Sequence, residues 1–414
     1  MSKATALLVS CLLASSGTVA SAKAEEILPL SVALREGLRN HPDILAADAD
    51  LKVRLAETLS ITEIPNPRLE LEFRALIDDP IIEMKLMQPI KRSYFGLRRN
   101  YAVIEQASAK AESRAQVAGV LNDVFSRYVE LWTVQELQAI RQQNREDFLS
   151  LREPFERVVK AGQGSAVDLA LLDAEIASEA SEASALETQR LGRSAALARR
   201  IGRTSASLIR VERPSGLPLP KSSDALERFA IGRTPLRLAL VKREEAARAR
   251  LAVSQADRLG SMEAGILAGH DIGRGISMLG IGFTFDLPMW NRNEAAIASA
   301  EAGIDAAQGQ LRAYEPGRVS AVVGLRYRAA LSAEESAARY TQDVVPLFEA
   351  ALTQARDAIA KGQGGVNQIQ PVINRLTQTR MRAFELRIAA LEARAELEGA
   401  LGGRLEEALG ASVR

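Results

Sequence analysis

The sequence predicts a mainly α-helical chain with a small β part, its elements laid out as two tandem repeats. Three observations lead there. Long stretches without helix breakers place apolar residues seven apart, with Ile297, Ile304 and Leu311 in one row and Ala300, Ala307 and Tyr314 in another, which is a coiled-coil seam. Short stretches alternate instead, with Ile281, Phe283 and Phe285 against Gly282, Thr284 and Asp286, the two-residue period of a strand. Similar segments also recur at an offset of about 200 residues.

Three pairs carry the repeat. ALREGLRNHP, from Ala33 to Pro42, matches ALERFAIGRTP, from Ala225 to Pro235. MKLMQPI, from Met84, matches FTFDLPM, from Phe283. VKAGQGSAVDL matches IAKGQGGVNQI, setting Gly162-Gln163-Gly164 against Gly362-Gln363-Gly364. Each half then reads as short helix, two strands, very long helix, glycine turn and returning helix. The expected division is a leader over 1–22, a first repeat over 25–205 and a second over 206–414.

In the leader, Met1-Ser2-Lys3 precedes an uncharged run ending in Ala20-Ser21-Ala22. That is the form of an export signal, with cleavage expected near 22–24. Leu8-Val9-Ser10-Cys11 also resembles a lipoprotein processing box, which makes Cys11 a candidate for lipidation despite its short apolar lead-in. No later segment approaches the ~20 apolar residues of a membrane helix. If the chain crosses a membrane, it does so with strands.

The strands are expected over about 68–89 and 263–287. In RLELEFRAL, Leu69, Leu71 and Phe73 alternate against Arg68, Glu70, Glu72 and Arg74. Nine or so residues suit a tilted bilayer-crossing strand, and aromatics stand just past both descending strands, Tyr94 and Phe95 and then Trp290, where a barrel leaves lipid. Four strands cannot close a membrane barrel, and open edges are not viable in lipid. The membrane reading therefore requires several chains to pool their strands.

The helical hairpins are expected over about 96–201, turning near 162–165, and about 291–405, turning near 362–365. Each outgoing arm has some 65 residues and would span roughly 100 Å. Such a helix is a strut or a tube wall. Asn291 or Asn293 can cap the helix after Trp290, and Pro316-Gly317 predicts a kink or break within it.

These residues resemble the TolC family of outer-membrane efflux channels, over nearly the whole mature chain. The resemblance rests on ALREGLRNHPDILAADADLKVRLAE, LMQPIKRSYFGLRRNYA, VVKAGQGSAVDLALLDAE and, most specifically, FDLPMWNRNEAAIASAEAGIDAAQGQLRA. It implies a homotrimer whose 4 strands per chain build a 12-stranded barrel above a periplasmic α-helical barrel. It also implies a passive exit duct for small solutes, docked on a periplasmic adaptor and an inner-membrane RND-type pump. The compact size and short strand loops look most like the CzcC-like metal-efflux branch. By the same resemblance the tips Gly162, Gln163, Gly164, Ser165 and Gly362, Gln363, Gly364, Gly365 would meet the adaptor. Asp168 and Gln368 would lie at the luminal constriction. Where some channels carry carboxylates beyond the second tip, this chain has Gln368 and Pro371, while Asp168 and nearby Asp173 remain at the first. Asp168 reads equally as an ordinary helix-start carboxylate.

Other classes are less well served. Lys+Arg 53 against Asp+Glu 52 gives +1, which excludes a global basic surface for nucleic acid. Two histidines and one cysteine offer no material for a zinc or thiolate site, so no metal or cofactor is expected. No nucleophile–histidine pair or phosphate loop suggests an enzyme. An adaptor would carry one hairpin where this chain has two. The rival of a different class is an exported coiled-coil scaffold without a pore, which explains the heptads but not the interface aromatics.

Overall fold

The computed structural model describes residues 26–74, 80–162, 164–203, 208–214, 218–360 and 366–409; the side chains of 359, 360, 366–368, 406 and 407 lie outside it. The leader, Cys11, Gln163 and the second glycine turn are outside the described residues. The chain runs β1 (Glu26–Leu28), α1 (Leu30–Asn40), α2 (Pro42–Thr62), β2 (Arg68–Arg74), β3 (Ile81–Ile90), α3 (Leu97–Lys160) and α4 (Ala166–Arg200). It continues through β4 (Ile209–Val211), α5 (Asp224–Arg233), α6 (Pro235–Ala256), β5 (Met262–Asp271), β6 (Ile276–Phe285) and α7 (Glu294–Leu311). The last helices are α8 (Pro316–Arg339), α9 (Val345–Ala360), α10 (Val366–Leu401) and α11 (Leu405–Ala408).

Both helix pairs break at a proline for the same reason. The residue before proline is pushed out of the helical region, and His41 and Thr234 are extended at φ −63°, ψ 128° and φ −56°, ψ 118°. The new helix then starts with Pro42 or Pro235, where a missing N–H costs nothing. His41 Nδ1 accepts the Asp43 N–H at 3.1 Å as the cap. Thr234 instead turns its hydroxyl to the carbonyls of Ala230 and Leu401.

α3 is one uninterrupted rod of 64 residues, about 96 Å long at 1.5 Å per residue. It runs through Pro154. The second rod is jointed. A 3-10 turn at Arg312–Tyr314 and Pro316 at the head of α8 divide it, so the expected flaw at Pro316-Gly317 is a true break. A π turn at Tyr340–Val344 precedes α9, where Pro346 withholds an N–H from the helical ladder. α3 packs along α2, α4 and α6, α6 packs on α7, and α10 packs on α8 and α9. The seam along α7 is carried by its small row: Ala300 and Ala307 are buried, while Ile297, Ile304 and Leu311 are only half-buried. Alanines let the backbones approach, which the branched residues would prevent.

Three apolar clusters lie along the rods, around Phe148 and Phe155, around Tyr128 and Trp132, and around Val323 and Tyr327. At the middle one, β1 and β4 pair in parallel, Glu26 opposite Ile209. Tyr128 is fully buried there, with its hydroxyl 3.0 Å from the carbonyls of both Leu28 and Glu212, and burial pushes its pKa up to about 12. Tyr128→Phe removes the single buried donor that these two carbonyls share and should lower stability by about 1–2 kcal/mol, read as a fall in the unfolding temperature of the helical signal.

Candidate functional site

The sheet of order β2-β3-β5-β6 is antiparallel throughout. Because residues opposite one another share a face, its register sorts the side chains. One face carries the rows Leu69–Leu86–Ile266–Ile281 and Leu71–Met84–Ala268–Leu279. The other carries Glu70–Lys85–Leu267–Gly280 and Glu72–Glu83–Gly269–Met278. The apolar face is bare: Leu71 is 69 % exposed, Leu279 81 % and Ile281 75 %. On the opposite face the charges pair among themselves. Arg74 Nε reaches Glu72 at 3.0 Å and its Nη2 reaches Glu83 at 3.1 Å, while Lys85 Nζ lies 3.1 Å from Glu72 and Arg68 Nη1 lies 3.2 Å from Glu263. An ordinary half-buried sheet would cover its apolar face with helices; here the charged face is the self-satisfied one. β2 and β6 are the outer strands, and each presents one unpaired edge within the chain.

β5 is continuous over ten residues in spite of Gly265 and Gly269. Gly265 is what allows it: a Cβ there would stand 1.9 Å from the Leu86 carbonyl oxygen. Strands of ten residues rise about 33 Å, or about 25 Å when tilted as in a barrel.

The sheet passes into the rods at one end. Phe95 and Trp290, after β3 and β6, are 78 % and 89 % exposed. Tyr94 is half-buried beneath Arg98, whose guanidinium lies 4.9 Å from its ring centre and also binds Asp257 at 2.8 Å. Asn293 does precede α7, in the left-handed region at φ 60°, but its side chain does not cap the helix. Its amide donates to the Ser254 carbonyl at 2.8 Å while its N–H is taken by Asn291 Oδ1 at 3.0 Å, so the pair anchors the joint to α6. The capping expectation fails because Asn293 is left-handed rather than extended and its side chain is turned towards α6, away from the first N–H groups of α7.

At the first tip, two glycines serve different ends. Gly162 sits at φ +73°, and a Cβ on Gly164 would stand 3.1 Å from Val159 Cγ2 and 3.2 Å from Val158 Cγ1. Ser165 caps α4 by accepting the Val167 N–H at 3.2 Å. Asp168 is half-buried in the first turn of α4. Asp173 is taken up across the hairpin by Arg152 at 2.7 Å. Gln368 falls in α10, its side chain outside the described residues, as are Gly362, Gln363, Gly364 and Gly365.

Sequence reasoning missed the polar centre above this tip. Asp147 is buried, accepting from Arg356 Nη2 at 2.8 Å and Arg380 Nη1 at 2.6 Å. Arg380 also lies 3.3 Å from the buried Asn144. The three helices joined are α3, α9 and α10, so the carboxylate ties one hairpin to the other. A signal existed: Asn144 and Asp147 interrupt the stripe Ile140, Phe148, Leu151, Phe155 on the core face of α3.

Higher on the first hairpin, the Arg190 guanidinium and the Gln138 amide hold the Glu187 carboxyl at a pKa of about 2, against the ordinary 4.5. A depressed folded-state pKa gives stability that is complete above the unfolded value and is lost as pH falls through the folded one. The unfolding temperature of the wild type should therefore exceed that of Glu187→Gln at pH 7, and the gap should narrow as pH drops from about 4.5 towards about 2.

Among the described residues no helix is long and apolar enough to cross a membrane, and no cluster of His, Cys, Asp or Glu has the makings of a metal site. No protein-family model matches the chain, nor does any curated protein sequence. Solved structures do. VceC, an outer-membrane protein of Vibrio cholerae, superposes with a TM-score of 0.72 at 18% identity, covering 91% of this chain and 97% of its own. CusC, described in connection with transmembrane channel formation, gives 0.70 at 17%, covering 90% and 92%. The open-state MtrE outer-membrane channel of Neisseria gonorrhoeae gives 0.67 at 16%, covering 91% and 89%. At such identities the likeness establishes the fold, which is the mainly helical one of these channels with their strands at one end.

Proposed function

We propose that the chain is a passive exit duct in the outer membrane, one of three copies that form a homotrimer. In this reading the two halves are tandem repeats, each trimer pools twelve strands into a barrel, and the rods continue it as a helical tunnel through the periplasm. The observation that carries it is the four-stranded sheet. Its apolar face is bare, its charged face is internally paired, and both of its edges are open. A lipid phase on one face, a wet lumen on the other and a second copy at each edge account for all three.

The tips would meet a periplasmic adaptor coupled to an inner-membrane RND-type pump, and small solutes would leave through the barrel. Glycine turns at the end of a strut nearly 100 Å long support this. A ring of three Asp168 side chains at a luminal constriction would favour cations. A CzcC-like kinship and a heavy-metal cargo draw only on compact size and short strand loops. Export by the leader, and lipidation at Cys11, rest on the leader's own residues.

The test is conductance across a planar bilayer, using protein extracted from outer membranes and checked for mass. Discrete channels from a trimer-sized particle are expected, with Asp168→Ala reducing their cation preference. A soluble particle without conductance would overturn the reading in favour of a coiled-coil scaffold.

A further inference from the structure

The charged face of the sheet is not uniform. Its charges crowd onto the β2–β3 half, where Glu70, Glu72 and Glu83 interleave with Arg74 and Lys85. Between Glu263 and Asp271 near the two ends of β5, the β5–β6 half of the same face is, in the rows of Glu70 and Glu72, glycine with two apolar side chains laid across it. Leu267 covers Gly282 so closely that a Cβ there would lie 3.0 Å from Leu267 Cδ1 and 3.1 Å from its Cγ. Met278 reaches over Gly269, its Cε 3.6 Å from where a Cβ would be. Rows that begin with Glu70 and Lys85 thus end in Leu267 and Gly280, and rows that begin with Glu72 and Glu83 end in Gly269 and Met278.

Both apolar side chains are open to solvent: Met278 is 53 % exposed, and Leu267, lying against Gly282, is half-buried. A water-filled wall gains nothing from such residues, because apolar area left in water is a cost that contact with an apolar solute removes. The balance of charge beside the strip decides which solute. On the strands of this face, Glu70, Glu72, Glu83, Glu263 and Asp271 outnumber Arg68, Arg74 and Lys85, leaving the wall net negative.

We propose, on the basis of the duct reading, that the Leu267–Met278 strip is a binding track for organic cations with an apolar face, three tracks to a trimer alternating with three ion-paired ribs. A solute of that kind lays its apolar side on the strip and its charge towards the neighbouring carboxylates. Hydrated metal ions have no apolar side to offer and pass without using it.

The probe is tetraphenylphosphonium added to purified trimers in a planar bilayer, with tetraphenylborate as the partner of like shape and opposite charge. In wild type the phosphonium should interrupt the single-channel current more strongly than the borate. The isosteric, uncharged replacements Leu267→Asn and Met278→Gln together should weaken that block about tenfold, with unitary conductance and trimer mass kept. Glu70→Gln should weaken it less and leave borate sensitivity higher. Equal block of wild type and the double variant, or equal block by the two ions, overturns the track while leaving the duct intact. Absence of any channel in the wild type overturns the duct itself, and the track with it.

Discussion

Asp147→Ala should destabilise the helical part by about 3 kcal/mol. It removes the one carboxylate that Arg356 and Arg380 share, 2.8 Å and 2.6 Å away, and leaves Arg380, 15% exposed, to the longer contacts with Asn144 at 3.3 Å and Glu349 at 3.5 Å. Breaking a buried ion pair from one side costs about 3–5 kcal/mol. Arg356 is 35% exposed and recovers some hydration, so the lower end of that range is the expectation. The check is denaturant unfolding followed by helical circular dichroism, compared with a variant in which Asp147, Arg356 and Arg380 all become leucine or methionine. That triple replacement should restore most of the loss, since a packed apolar triad needs no counter-charge. A single truncation no worse than a surface substitution would mean the three groups are hydrated in solution.

The consequence is specific to place. α3 belongs to one hairpin and α9 and α10 to the other, and below Asp147 the two are held by the apolar cluster of Phe148, Phe155, Leu352 and Ile373. A variant lacking the polar tie should keep its sheet and its middle core, around Tyr128 and Trp132, while the rod ends part first. Hydrogen exchange resolved by peptide should show faster exchange at Leu149–Lys160 than around Tyr128.

What could be read in the chain beforehand follows from how local each signal is. β2 and β6 announce themselves because alternation over seven to ten residues survives with no partner in view, as in Leu69, Leu71, Phe73. The breaks at His41-Pro42, Thr234-Pro235 and Pro316 are equally local, since proline acts on its own neighbours. β1 and β4 were not legible: three residues each, paired in parallel across the whole length of the first repeat, they have no period to display. The Asp147 centre was missed for a related reason. Its partners lie 209 and 233 residues away, and the sequence shows only that a carboxylate interrupts an apolar stripe. The need for Gly265 is invisible locally, because the Leu86 oxygen that demands it belongs to another strand. At the proposed constriction, Asp168 remains as ambiguous in a single chain as in the sequence, because a ring exists only between copies.

Ile281→Arg and Gly280→Arg, one residue apart on β6, should behave as opposites. Ile281 is on the bare apolar face, 75 % exposed and near the middle of the strand. Gly280 is on the charged face, where an added Cβ meets nothing within 4 Å. Arginine at the lipid-facing midplane of a barrel costs about 2–4 kcal/mol, and three copies in one trimer would multiply that to about 6–12 kcal/mol. That is comparable with the ~5–15 kcal/mol by which a folded protein is typically stable. Ile281→Arg should therefore vanish from the outer-membrane fraction, while Gly280→Arg should assemble at normal mass with a reduced unitary conductance, its three guanidinium groups narrowing the lumen. The contrast is worth more than either result. A soluble scaffold whose sheet is wetted on both faces would tolerate arginine at either residue, because each is already in water, and equal tolerance would count against any membrane role for the sheet. If Gly280→Arg alone were lost, the two faces would be assigned the wrong way round, and the paired charges of β2 and β3 would have to be explained by something other than a lumen.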